Sequence, residues 1–92
     1  MVEIRLPPTL RSYCGCDSEL RVQARNVREA IRILETEQLS LYRSVCDETG
    51  TVRKHIHFFI NSDRIDVGDS SGLESHLNPG DILTIWTAVS GG

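Results

Sequence analysis

Two glycines, Gly91 and Gly92, stand at the C-terminal end of the sequence, directly behind an apolar run at residues 82–89. If that run is a strand, the α-carboxylate of Gly92 lies at the tip of an arm that leaves a sheet. Residues 88–92 could project roughly 17 Å at ~3.3–3.6 Å per extended residue. Because glycine has no Cβ, the arm is thin enough for a narrow enzymatic channel. A linker could also end this way, but linkers are usually longer and richer in serine. We therefore favour a functional tail.

The cysteines and histidines are the other side chains with chemistry to offer, and their spacing argues against a metal site. Residues 14–16 read Cys-Gly-Cys, which is not the C-x-x-C of redox and zinc motifs. His55, His57 and His76 supply no paired ligand spacing, so we expect no bound metal. An odd cysteine count without an export signal favours a reducing, cytoplasmic setting over a disulfide framework.

Composition narrows the class of protein further. The 92 residues, 39% hydrophobic and 25% charged with a net charge of −3, predict one soluble domain over residues 1–92. The basic residues form no dense cluster, which argues against nucleic-acid binding. No apolar stretch approaches the ~20 residues that span a bilayer, and the N-terminus has a strand pattern rather than that of a signal peptide.

Alternating apolar and polar residues predict a hairpin in the N-terminal part. The strands are residues 2–6 and 19–24, and Pro7-Pro8 ends the first because proline cannot donate to a ladder. Asn26 then caps a helix, with Glu29 in the capping-box position. Apolar residues at helical spacing predict a buried stripe that ends near Gln38. Residues 39–51 are expected to be a connector anchored by buried Leu41 and Val45.

The C-terminal half predicts three more strands. Residues 54–61 form the first, residues 61–64 a turn, and residues 65–67 a short second strand. Residues 72–77 could form one tight helical turn. Residues 78–81 match a type II turn, with proline second and glycine where φ must be positive. The last strand begins at residue 82.

The order of the predicted elements, a hairpin followed by a helix and then three strands, indicates an α+β fold. Alternating strands imply a sheet with one wet face, and the amphipathic helix must cover the other. The N-terminal and C-terminal strands are expected to pair as central neighbours in a mixed sheet of about five strands. That arrangement is the ubiquitin-like β-grasp, with one main helix packed on one face.

Several short motifs in the C-terminal half carry a family resemblance. They are Phe59-Ile60-Asn61 with Arg64-Ile65, Leu77-Asn-Pro-Gly80-Asp81, Leu83-Thr-Ile85 and Ala88-Val89-Ser90-Gly91-Gly92. In these the chain resembles the MoaD/ThiS family of ubiquitin-like sulfur carriers, whose usual ending is Val-Ala-Gly-Gly; here Ser90 replaces the alanine. The long connector at residues 39–53 is most similar to that of CysO-type carriers.

The resemblance implies a specific chemistry for Gly92. A MoeB/ThiF-like adenylyltransferase would couple its carboxylate to AMP from ATP, and a sulfur donor would displace AMP to leave a thiocarboxylate. A separate acceptor enzyme would receive the sulfur for small-molecule biosynthesis. Gly91, Ser90 and Val89 would be the flexible segment that partners recognise. The carrier itself would bind no cofactor and would be a protein co-substrate rather than an enzyme.

Strand parity predicts a docking surface. If Leu83 and Ile85 point to the core, then Trp86 and Phe59 face outward on the sheet. Exposed aromatic residues on a small protein are enriched at interaction hot spots. The alternative is that Trp86 merely caps the sheet edge.

Three other functions remain open. The chain could be a protein modifier that forms isopeptide bonds through Gly92, with Lys54 as its only lysine. It could also be the small subunit of a molybdopterin synthase, or an interaction module whose terminal glycines are idle.

Overall fold

The computed structural model describes residues 1–7, 10, 19–66 and 72–87. The expected turn around Cys14 and Cys16, and the expected strand end at Val67, lie outside these residues. In chain order the elements are β1 (Val2–Arg5), β2 (Glu19–Val22), α1 (Val27–Glu37), α2 (Leu39–Val45), β3 (Ile56–Ile60), β4 (Asp63–Ile65), a 3₁₀ turn (Gly72–Glu74) and β5 (Ile82–Thr87).

The strands form one mixed sheet in the order β2-β1-β5-β3-β4. β1 is antiparallel to β2 and parallel to β5, whereas β3 is antiparallel to both β4 and β5. The predicted pairing of the N-terminal and C-terminal strands at the sheet centre is therefore confirmed. A parallel pair needs a long crossover connection, which here contains both helices, and the result is the β-grasp fold.

One face of the sheet is the core, and the strand register shows why. Ile4 lies opposite Leu83, and Phe58 lies opposite Ile85. All four side chains are at most 1% exposed. Their neighbours along each strand point the other way because strand side chains alternate. The inward set predicted for β5 is confirmed.

Helix α1 begins as the sequence predicts, with a variation in the capping box. The Glu29 backbone N–H donates to Asn26 Oδ1 at 2.8 Å, which satisfies a free donor of the first turn. The Glu29 carboxylate accepts from the Arg25 backbone N–H at 2.9 Å, one residue before the cap. The predicted end is also confirmed, because Gln38 is the C-cap.

The connector after α1 is partly helical, which the sequence analysis did not predict. Leu41 and Val45 are fully buried, as expected, but they lie on α2. Their i, i+4 spacing places both on one helix face, which packs onto α1. The preceding Gln38 makes no side-chain capping bond, so the usual sequence signal for a helix start is missing.

The predicted position of the fourth strand was wrong. The turn after β3 contains only Asn61 and Ser62, and Ile60 lies opposite Asp63. Asn61 adopts a φ of 55°, a left-handed conformation that asparagine tolerates. A tight two-residue turn moves the strand forward to Asp63–Ile65, so Arg64 lies in the sheet rather than in a turn.

Candidate functional site

The candidate tail follows the central strand of the sheet. β5 is flanked by β1 and β3, and its last residue, Thr87, lies opposite Ile56 at the beginning of β3. The tail is thus attached to an element held on both sides by ladder hydrogen bonds. The residues expected to react or to be recognised are outside the described part of the chain, so their roles stay predictions. They are Val89, Ser90, Gly91 and Gly92.

The sheet face opposite the helices carries the two candidate docking aromatics. Trp86 is 51% exposed, and Phe59 is half-buried. Trp86 lies opposite His57, whereas Phe59 lies between Thr84 and Arg64 on the two neighbouring strands. Trp86 and Phe59 are therefore diagonal neighbours, within reach of one surface. We call these five residues the aromatic face; their binding role remains a prediction.

A polar contact joins Arg64 and His57 at the edge of this face. Arg64 Nη2 lies 3.0 Å from His57 Nδ1. Because the guanidinium has only donors, His57 Nδ1 is the acceptor of this hydrogen bond. The contact links Arg64 to His57, which lies opposite the exposed Trp86.

At the opposite end of β3 and β5, the residues that carry the family resemblance contact one another. Asn61 Nδ2 donates to Asp81 Oδ1 at 3.2 Å, and Asn61 Oδ1 accepts from the Ile82 N–H at 3.1 Å. Asp81 Oδ2 accepts from the Asn78 N–H at 2.9 Å, and the Asp81 N–H donates to Asn78 O at 3.0 Å. Hydrogen bonds from Asn78 and then Asn61 lower the pKa of Asp81. These residues therefore have a structural role.

The turn between Asn78 and Asp81 completes this cluster. Gly80 has a φ of 91° at the third position, as the type II turn requires. An added Cβ there would meet open space, so the glycine is required by the backbone conformation and not by packing.

The other candidate groups that lie within the described residues offer no reactive centre. Burial raises the pKa of the Cys46 thiol to about 11, and Cys46 is only 1% exposed. It is therefore protonated and shielded near neutral pH. Within the described ranges, no group of three His, Cys, Asp or Glu side chains could hold a metal ion. None of the helices described is long and apolar enough to cross a membrane.

Sequence reasoning did not find the partnership of Arg64 and His57. Residues 61–64, with the sequence Asn-Ser-Asp-Arg, resemble a four-residue turn, and on that pattern Arg64 was predicted to lie in a turn. The signal that could have corrected this is Asn61 itself, since asparagine favours the left-handed position of a two-residue hairpin loop. With that loop, Arg64 falls opposite Phe59.

Comparisons with known structures give full-length similarity. A chain of the Amycolatopsis orientalis BexX/CysO complex is 28% identical, with 100% of both chains covered and a TM-score of 0.83. The chain is therefore similar over its whole length to ubiquitin-like proteins of the MoaD/ThiS type. CysO of Mycobacterium tuberculosis shows the same fold, at 23% identity over 97% of this chain and 100% of that chain, with a TM-score of 0.81.

A structure whose name refers to a modifier shares the fold as well. Small archaeal modifier protein 1 of Methanosarcina acetivorans is 24% identical over 99% of this chain and 95% of that chain, with a TM-score of 0.81. No protein-family model and no curated protein matches the chain. The structures that it resembles therefore share its fold over nearly their whole length.

Proposed function

We propose that this protein carries sulfur on the C-terminal carboxylate of Gly92. A MoeB/ThiF-like adenylyltransferase joins that carboxylate to AMP and releases pyrophosphate from ATP. A sulfur donor then displaces AMP, which leaves a thiocarboxylate. The sulfur passes to an acceptor enzyme of small-molecule biosynthesis, in a pathway for cysteine, a cofactor or a secondary metabolite.

One observation carries this proposal: three residues beyond the central strand of a β-grasp sheet, the sequence has the pair Gly91-Gly92. An ionised carboxylate is a poor electrophile, so activation by a separate enzyme is required. The protein contributes an end group and a surface, with Phe59 and Trp86 as the proposed contacts for the activating enzyme. The odd cysteine count and the buried Cys46 thiol fit a reducing cytoplasm.

Deletion of Gly92 tests the proposal. We expect the deletion to abolish ATP–pyrophosphate exchange by the adenylyltransferase that activates the intact chain. The melting temperature should be unchanged, because the last core residue among the described residues is Ile85. Intact-mass measurement first verifies that the purified protein ends at Gly92. Undiminished exchange after the deletion would refute sulfur carriage at this residue.

A second candidate function, a protein modifier, is favoured by the similarity to small archaeal modifier protein 1. Here Gly92 would form isopeptide bonds with lysines of other proteins. Lys54, the only lysine of the chain, is exposed in the turn before β3 and could accept a second copy. Mass spectrometry of protein purified from its source separates the two, because a carrier shows a sulfur-for-oxygen shift and a modifier shows branched conjugates.

A further inference from the structure

A groove of about 320 Å³ lies beside the aromatic face, at the edge of the sheet. It is lined by residues 51–54, by Ile56 and His57 of β3, and by residues 64–66. Among the described lining residues, Arg53, Lys54 and Arg64 contribute three cations, and Asp66 contributes one carboxylate. These described residues therefore have a formal charge of +2, in a chain whose net charge is −3. We call it the basic groove.

The loop that brings two of these cations to the groove is well fixed. Asp47 Oδ1 accepts from the backbone N–H groups of Thr49 and Thr51, at 2.9 and 3.1 Å. The Arg53 backbone N–H then donates to Val45 O at 2.9 Å. The Arg53 guanidinium is held as well, because its Nε donates to Arg43 O at 3.1 Å. The backbone of this loop is therefore fixed by its own hydrogen bonds, without a bound ligand.

The groove lies at the end of the sheet from which the tail departs. Ile56 lies opposite Thr87, the last described residue, and His57 lies opposite Trp86. Neighbouring strands are ~4.8 Å apart, so the groove, the exposed indole and the start of the tail are close together. A protein that reaches the tail across this end of the sheet meets the cations.

Arg64 has guanidinium N–H groups that could donate to a ligand. Among the described residues no carboxylate forms an ion pair with it, whereas Arg5 and Arg28 each have one. His57 Nδ1 accepts one guanidinium N–H, which orients the group and leaves its other donors available. A carboxylate matches such a set, because its two oxygens accept from a guanidinium in parallel.

We propose that the basic groove binds a carboxylate-bearing segment of the adenylating partner, with Arg64 as the binding residue and His57 as its positioning residue. This inference rests on the proposed function, because it names the chemistry of the partner at the same surface. Continuity with Trp86 favours a protein segment over a free anion, since an aromatic anchor beside charged contacts is typical of protein interfaces.

The chain offers a matched control for Arg64. Arg21 is also an exposed arginine, and it lies on the same sheet face, because its partner Glu3 neighbours the inward Val2 and Ile4. It belongs to the opposite edge strand, four strand spacings or roughly 19 Å away. Arg64→Gln and Arg21→Gln remove the same charge from the same face, at opposite edges of the sheet.

The first measurement needs no partner enzyme. The full-length ¹⁵N-labelled protein is titrated with a hexaglutamate peptide, and shifts are expected at the amides of His57 and Arg64 and at the Trp86 indole. Arg64→Gln should abolish these shifts, and Arg21→Gln should retain them. Equal shifts around Arg21, or unchanged shifts in Arg64→Gln, would overturn the proposal.

The second measurement uses the adenylyltransferase that activates the chain. Arg64→Gln should raise the KM for the carrier about tenfold to thirtyfold, as for loss of one partner of a hydrogen-bonded charge pair. Its kcat should stay within about twofold of the wild-type value, since the groove acts in binding. Arg21→Gln should leave both parameters unchanged. His57→Ala should raise KM, and His57→Gln should restore it, because an amide oxygen can accept from Arg64.

The outcomes separate this inference from the proposed function. If the enzyme activates Arg64→Gln with an unchanged KM, the groove proposal fails and sulfur carriage stands. If no adenylyltransferase activates the chain but hexaglutamate binds at Arg64, the carrier function fails and the carboxylate-binding surface stands. Thermal melts of Arg64→Gln and Arg21→Gln should agree within about 2 °C, which excludes misfolding as the cause of a KM change.

Discussion

Replacement of Asn61 by alanine should destabilise the protein without impairing its tail. The change removes two hydrogen bonds, to Asp81 Oδ1 and from the Ile82 N–H. One hydrogen bond contributes a net ~0.5–1.5 kcal/mol to stability, and exposed bonds contribute less than buried ones. The two bonds of Asn61 together therefore contribute about 1–2 kcal/mol. Alanine also pays roughly 1 kcal/mol for the left-handed backbone at a φ of 55°. We expect a total loss of ~2–3 kcal/mol.

Urea unfolding, followed by the fluorescence of the single tryptophan, Trp86, measures this loss. For a domain of this size the melting temperature should fall by roughly 10–20 °C, at ~4–8 °C per kcal/mol. Asn61→Gly is the control, because it removes the same hydrogen bonds but tolerates the positive φ. It should be less destabilised than Asn61→Ala by about 1 kcal/mol.

Two results would refute the reasoning. If Asn61→Ala lost less than about 0.5 kcal/mol, the hydrogen bonds would not matter; if it matched Asn61→Gly, the backbone conformation would carry no cost. Activation of Gly92, measured below the melting transition, should be unchanged in both variants. Asn61 is at the end of β3 remote from Ile56, which lies opposite Thr87, where the tail begins.

Three further predictions concern the tail, the aromatic face and the buried thiol. Gly91→Val should severely reduce activation, because a β-branched side chain thickens and restricts the arm; a loss of several degrees in melting temperature would instead make Gly91 structural. Trp86→Ala should weaken partner affinity at least about thirtyfold by calorimetry. Because Trp86 is 51% exposed, it should cost less stability than the ~3–5 kcal/mol of a buried tryptophan; the reverse pattern would mean that Trp86 is a core residue.

Burial raises the pKa of the Cys46 thiol to about 11 in the folded protein, whereas an unfolded thiol has a pKa of ~8.5. The difference contributes to the free energy of unfolding, and this contribution is fully present below pH ~8.5. That contribution should be lost as the pH rises towards 11. The urea midpoint of the wild type should therefore fall more steeply than that of Cys46→Ala over this range, and parallel slopes would contradict it.

The parts of the fold that the sequence predicted correctly are those with local causes. Strand alternation follows from side-chain geometry, the Asn26–Glu29 cap from four residues, and the turn at Pro79-Gly80 from the φ that each residue allows. These signals operate within a few positions of the chain. They suffice for the β-grasp topology, because one helix and one half-apolar sheet have few ways to bury their faces together.

The missed parts depend on contacts between distant segments. Leu41 and Val45 show the i, i+4 spacing of a helix, but without a cap before Leu39 a helix of seven residues is stable only when packed on α1. The pairing of Arg64 with His57 needed the register of β3 and β4, and the length of one turn decided that register. A slip of one residue would have moved Arg64 to the other face.

The motif residues of the MoaD/ThiS resemblance therefore divide into two groups with different consequences. Asn61, Asp81 and Gly80 hold β3 to the start of β5, so their presence argues for the fold and not for any chemistry. The proposed sulfur carriage depends on the opposite end of β5, beyond which the sequence continues to Gly91 and Gly92. A β-grasp protein that kept Asn61, Asp81 and Gly80 but lost the two terminal glycines should have the same fold. Under the proposed function it could not carry sulfur. Perturbing each end separately is thus the decisive comparison, because stability should change at one end and activation at the other.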